Sequence, residues 1–293
     1  MLWPMFLRSL FTDISAAFSS VYSGWILWNL FLAFVPLFLS YVLFRRKALS
    51  KVKIWSSIIL ISLIGIVGIQ PRLPRIMNAQ MRLMDALMAG EPSAQLKVVW
   101  WISLVLISIG MSFFLFNRPK STRTFLWWLG LVGFIAFLPN APYVLTDIIH
   151  LIKGTRGSGI QVWLIALFFI PLHTVAILLG FEAYVLSILN QAYYLKQRGN
   201  EKFILPTELL IHALSAVGIY LGRFVRLNSW DIATDPTSVL MITLNTLTTK
   251  RPAAVVFFTF IILTVLYWIM KQLTLGIKLR IHYSKQGIDV LDL

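Results

Sequence analysis

The chain of 293 residues contains no cysteine, which excludes disulfides, thiolate metal sites and cysteine nucleophiles but leaves the redox compartment open. Charge is scarce too: 13% of residues are Asp, Glu, Lys or Arg, against about 25% in soluble domains. Carboxylates are scarcest, with 11 Asp and Glu against 26 Lys and Arg, for a formal net charge of +15. The polar stretches between apolar runs are too short to bury cores of their own, so an appended soluble domain is excluded. There is no nucleotide-binding glycine loop, HExxH, GxSxG or internal repeat. Arg156-Gly157-Ser158-Gly159 reads as a flexible loop rather than a phosphate cradle, because no strand precedes it.

What is there is apolar: 58% of residues are hydrophobic and the mean hydropathy is +0.81. These values point to an all-α, polytopic transmembrane helical bundle. In such a chain the basic excess reflects topology and anionic lipid, since cytoplasmic loops collect Lys and Arg. Membrane lipid is the expected partner. Nucleic acid is not, because no compact basic domain exists to hold it. No cofactor or metal is expected: His150, His173 and His212 are too spread in depth to share an ion.

The apolar runs predict about seven spans, at residues 25–44, 54–69, 98–116, 125–138, 163–181, 209–227 and 252–270. Residues 1–24 read as an interfacial segment, since Arg8 and Asp13 interrupt the apolar stretch and no basic region precedes it. Residues 70–97 read as an amphipathic surface helix with Leu73, Met77, Met81, Met84 and Met88 on one face. Arg45, Arg46, Lys47, Lys51 and Lys53 form the densest basic cluster. Placing that cluster in the cytoplasm puts the N-terminus outside and residues 272–293 in a cytoplasmic tail.

The fourth run is too short. Its fourteen residues reach about 21 Å, against a hydrocarbon core of about 30 Å. Pro139 and Pro142 then interrupt the backbone before a short helix that carries Asp147 and His150. The predicted topology brings this stretch to the outer face, together with Arg223, Arg226, Asn228 and Asp231. At helical spacing Tyr143, Asp147 and His150 share one face, and Tyr220, Arg223 and Arg226 share another. Two arginines on one face suit a grip on phosphate or carboxylate. Asp147 is placed to orient His150 for acid or base work, with Asn140 and Asp231 completing a polar wall.

A plainer reading stands beside this one: Asp147 neutralises Arg223, His150 and Asn140 cap interrupted backbone, and Arg226 reaches for headgroups. Toward the cytoplasm, Glu182 and His212 are expected at similar depth, either as a proton relay or as a packing hydrogen bond, with His173 near mid-membrane.

Two stretches carry a resemblance. They are Leu138-Pro139-Asn140-Ala141-Pro142-Tyr143 with Thr146-Asp147 and His150-Leu151, and Tyr220-Leu221-Gly222-Arg223-Phe224 with Arg226-Leu227-Asn228-Ser229-Trp230-Asp231. In these the chain resembles the DUF1361 family of bacterial integral membrane proteins, over residues 98–271, with the first two spans outside. The resemblance implies a bacterial cell membrane and adds Trp230 to the motif residues, but it brings no reaction, because the family is functionally uncharacterised. Three classes of function therefore stay open: a membrane enzyme or lipid-handling protein, a transporter with a discontinuous helix, and a non-catalytic assembly subunit.

Overall fold

The computed structural model describes residues 11, 12, 15, 25–45, 50–117, 125–156, 160–227 and 236–287. Most of the N-terminal segment, Arg46, Lys47, Asn228, Trp230, Asp231 and the Gly157-Ser158-Gly159 stretch lie outside these. Among the described residues every regular element is helical, as a backbone without water to bond to requires.

The helices are α1 (Trp25–Phe44), α2 (Lys51–Ile69), α3 (Leu73–Met88), α4 (Pro92–Asn117), α5 (Phe125–Phe137), α6 (Asn140–Tyr143), α7 (Ile148–Thr155), α8 (Ile170–Gln197), α9 (Ile204–Tyr220), α10 (Pro236–Thr248) and α11 (Lys250–Ser284). Six runs among the described residues are long and apolar enough to cross a membrane: Trp25–Phe44, Val52–Arg72, Phe125–Lys153, Val162–Gln197, Glu201–Val225 and Lys250–Ser284. The expected third span, 98–116, lies within the 26-residue helix α4, of which Ala94–Ile107 is the apolar run among the described residues. Helix α10 had no counterpart among the expected elements, and α11 continues as helix through residues 272–284, expected as tail.

Helix α1 is the centre of the bundle, packed against α8, α2, α5 and α6. One end of it carries Trp25, whose ring meets His150 and His173, and Asn29, which bonds Asp147. The other end carries Ser40, bonded by Asn190, and Phe44, packed on Trp127, Phe134 and Tyr194. These contacts define two ends of the molecule. Arg223 sits at the first. Glu208, fifteen residues back along the helix and so about 22 Å away, lies toward the second.

The stretch after α5 is a tightened helix more than a break. Residues 138 and 139 form a turn, α6 follows, Val144–Asp147 wind as a 3-10 helix, and α7 completes the run. Pro139, Tyr143, Val144, Asp147 and Ile148 all keep right-handed helical φ and ψ. The backbone groups are accounted for despite the prolines. Ala141 N–H donates to Leu138 O and Tyr143 N–H to Pro139 O, both at 3.1 Å, while Asn140 Nδ2 donates to Phe137 O at 2.9 Å.

Close approach to two helices holds this turn in place. A Cβ on Gly218 of α9 would lie 2.6 Å from Pro139 Cβ, and one on Gly180 of α8 would lie 2.9 Å from a Val144 methyl. Both helices present glycine where the turn docks, so Leu138, Ala141 and Val144 are buried against them. Helix α3 leaves Met77, Met81, Met84 and Met88 exposed along one side.

Candidate functional site

Arg223 organises the first end. It lies in a π-helical turn, Leu221–Val225, that extends α9, and its side chain reaches back across the α6–α7 stretch. Nη1 donates to His150 Nε2 at 2.8 Å and to Tyr143 Oη at 3.3 Å, and Nη2 donates to the carbonyl of Thr146. That carbonyl lies in the 3-10 segment, where hydrogen-bond geometry is poorer and a cation readily takes an oxygen. Nη2 also lies 3.9 Å from Asp147 Oδ1, an ion pair too long to be a hydrogen bond.

Asp147 is fully buried. Its Oδ2 accepts from Asn29 Nδ2 at 2.7 Å, whereas Oδ1 and the Arg223 Nε are buried with no hydrogen-bond partner among the described residues. The two motifs thus meet, joined by Arg223. Asp147 does not orient His150. Its carboxylate is turned to α1, where Asn29 Nδ2 satisfies Oδ2. A guanidinium can only donate, so His150 Nε2 is the acceptor and Nδ1 carries the proton of the neutral ring. The expectation that Asp147 readies His150 for proton transfer has no contact behind it.

Arg223 and Arg226 do not share a face either. The π turn ends at Arg226, which has φ 66° and ψ 32°, the sole non-glycine residue of positive φ among the described residues. The left-handed residue lets Leu227 N–H close on Leu221 O at 3.1 Å, and it turns the Arg226 side chain away from that of Arg223. Arg226 instead lines a cavity of about 500 Å³ between α1, α5, α9 and α10.

This cavity adjoins the Arg223 network without containing it. Asn29 and Tyr143 belong to its wall, and each touches a member of the Asp147–Arg223 pair behind it. Asn140 and Arg226 line it, and Arg72 joins them. Arg72 donates to Gly68 O at 2.9 Å and lies over the Trp28 ring, which also lines the cavity. Leu32, Ile135, Leu214 and Val217 make an apolar side, and among the described residues no carboxylate is part of the lining. Asn29 stood out in the sequence as a rare polar residue in the first span. Arg72 gave no such signal, because it sits among the arginines of a surface segment.

The model of the DUF1361 family, described as proteins of unknown function, matches residues 100–265, more than half of the chain. The chain belongs to this family. No curated protein and no solved structure matches it. The DUF1361 segment supplies Asp147, His150, Arg223 and Arg226, while Trp28, Asn29 and Arg72 come from the helices ahead of it. The cavity is therefore composite, and the DUF1361 segment alone does not enclose it.

Glu182 and His212 do not pair. Glu182 accepts from Thr274 at 2.9 Å, and His212 Nδ1 is 2.8 Å from Tyr184 Oη. The acid that matters beside His212 is Glu208, whose Oε1 accepts from Lys271 Nζ and Tyr267 Oη, both at 2.7 Å. Between the two polar groups α8 buries Ala176, Gly180 and Phe181, and α9 buries Ala216 and Ile219. His173 bonds the Asp147 carbonyl at 3.3 Å and so belongs to the Arg223 end. An apolar layer thus separates the ends.

Proposed function

We propose that this is a multi-pass protein of the bacterial cell membrane that binds an anionic amphiphile, a lipid with a phosphate or carboxylate headgroup, in the 500 Å³ cavity at its outward-facing end. The observation that carries the reading is Arg226. A non-glycine residue in the left-handed region is costly, and such residues gather where a side chain must be aimed. Arg226, itself exposed, lines a cavity with a second cation, Arg72, with Asn29, Asn140 and Tyr143 as neutral polar partners, and with no carboxylate in the lining among the described residues. The apolar side suits an acyl chain, and the volume falls in the range of about 300–1,000 Å³ usual for small-molecule sites.

In this reading Asp147, His150 and Arg223 are positioning residues. They hold Tyr143 and Asn29 from behind, and the ligand meets those two. Binding is favoured over catalysis because His150 spends its Nε2 lone pair on Arg223 and is not part of the cavity lining. A carrier is disfavoured because the buried apolar layer of α8 and α9 shows no polar path between the two ends among the described residues.

The test is lipid analysis of the protein purified in mild detergent. Anionic lipid should co-purify above its membrane abundance, and Arg226→Gln or Arg72→Gln should reduce it severalfold while protein yield holds. Co-purification of zwitterionic lipid alone, or retention unchanged in both variants, would sink the proposal.

A further inference from the structure

At the opposite end a smaller cavity, of about 220 Å³, opens between the end of α1, the second half of α8 and α11. Arg45 and Lys278 line it from different helices together with Tyr41 and Asn190, and Leu186 and Leu275 are apolar members of its wall. Asn190 is fixed by its Nδ2 donating to Ser40 Oγ at 3.0 Å. The guanidinium of Arg45 lies 4.0 Å from the Tyr193 ring centroid, yet its buried Nε has no hydrogen-bond partner among the described residues. A buried donor on a charged group without an acceptor is unfavourable, and an anion seated in the cavity would correct it. Among the described residues no carboxylate is part of the lining. Glu182 lies one layer behind, where Thr274 donates to it at 2.9 Å.

The volume is below the range of about 300–1,000 Å³ typical of drug-sized ligands, so it has room for a headgroup and not for chains. Chains have somewhere else to go, since Leu275 and Leu279 of α11 are exposed beside Lys278. The Arg45 end is also where the chain concentrates Arg45, Arg46, Lys47, Lys51 and Lys53, the kind of cluster that draws anionic lipid to a leaflet. We propose that this cavity is a second site, which binds the phosphodiester of an anionic lipid from the leaflet at the basic end. Arg45 Nε and Lys278 Nζ donate to the phosphodiester oxygens. The site shares no residue with the Arg226 cavity and does not depend on the function proposed for it.

The experiment is native mass spectrometry of the full chain in detergent with added phosphatidylglycerol or phosphatidylcholine. It uses an Arg226→Gln background so that the first cavity does not contribute. That background should still prefer phosphatidylglycerol. Adding Arg45→Gln should lower its occupancy about tenfold, the size expected for losing one charged hydrogen bond. Adding Lys278→Gln instead tests the same site at an exposed residue that the fold does not need, and occupancy should again fall. Unchanged preference in the Lys278→Gln protein would overturn the proposal, as would unchanged preference in a folded Arg45→Gln protein. Glycerol phosphate binding as tightly as the lipid would also overturn it, by showing a soluble phosphate to be the ligand.

Discussion

The two ends of the bundle answer a buried cation in opposite ways. Lys271 meets Glu208 at 2.7 Å, Glu208 also takes the Tyr267 hydroxyl, and no buried side-chain atom of this group lacks a partner. Arg223 meets Asp147 only at 3.9 Å, and each leaves one buried polar atom unsatisfied. The closed group stiffens the packing of α9 on α11. The open one sits behind a cavity wall, holding Tyr143 and Asn29 at a distance from its own charge balance. A satisfied network is what a scaffold needs, whereas a residue of imbalance is expected where a site has been built.

The contrast sets the size of several effects. Asp147→Ala strands Arg223, 11% exposed, beside a donor from Asn29, and should cost about 3–5 kcal/mol, the loss typical of breaking a buried pair. Glu208→Ala should cost less, about 1–3 kcal/mol, because Lys271 is 24% exposed and its chain can carry the ammonium toward water. Unfolding midpoints in detergent compare the two. Equal losses would mean that the Arg223 end is no more deeply committed than the Glu208 end.

Packing around the proline turn gives the next effect. Gly218→Ala drives a methyl against Pro139 and should destabilise by about 1–3 kcal/mol. Gly133→Ala, where no atom lies within 4 Å of the added carbon, should shift stability by less than about 1 kcal/mol. If the two variants melt together, the turn is not seated on α9 as described.

Much of this was legible from residue order. The C-terminal end of α1 could be read to the residue, since lipid demands an unbroken apolar run and Arg45 ends it. The meeting of the 138–150 stretch with Arg223 followed from the expected alternation of spans, which brings the ends of the fourth and sixth to one depth. What failed did so for local reasons. Helical spacing put Arg223 and Arg226 on one face, but a π turn and a left-handed residue rotate them apart, and no composition signal marks either. Asp147 three residues before His150 suggested a pair, but the carboxylate is bonded by Asn29, 118 positions away. Arg72 and Glu208 were missed because their partners are tertiary. A lone arginine in a basic segment looks like a surface charge until Trp28 and the cavity are seen beside it.

The smallest stability effect carries the most direct test. Arg226→Gly frees the backbone from the left-handed penalty and should raise stability by about 0.5–1 kcal/mol. The same change removes the cation aimed into the large cavity. Measured together, unfolding midpoint and the ratio of retained phosphatidylglycerol to phosphatidylcholine should move in opposite directions, the first up and the second severalfold down relative to the unmodified chain. A more stable variant that keeps the full anionic preference would contradict the account, because Arg226 would then bear its strained backbone for no ligand.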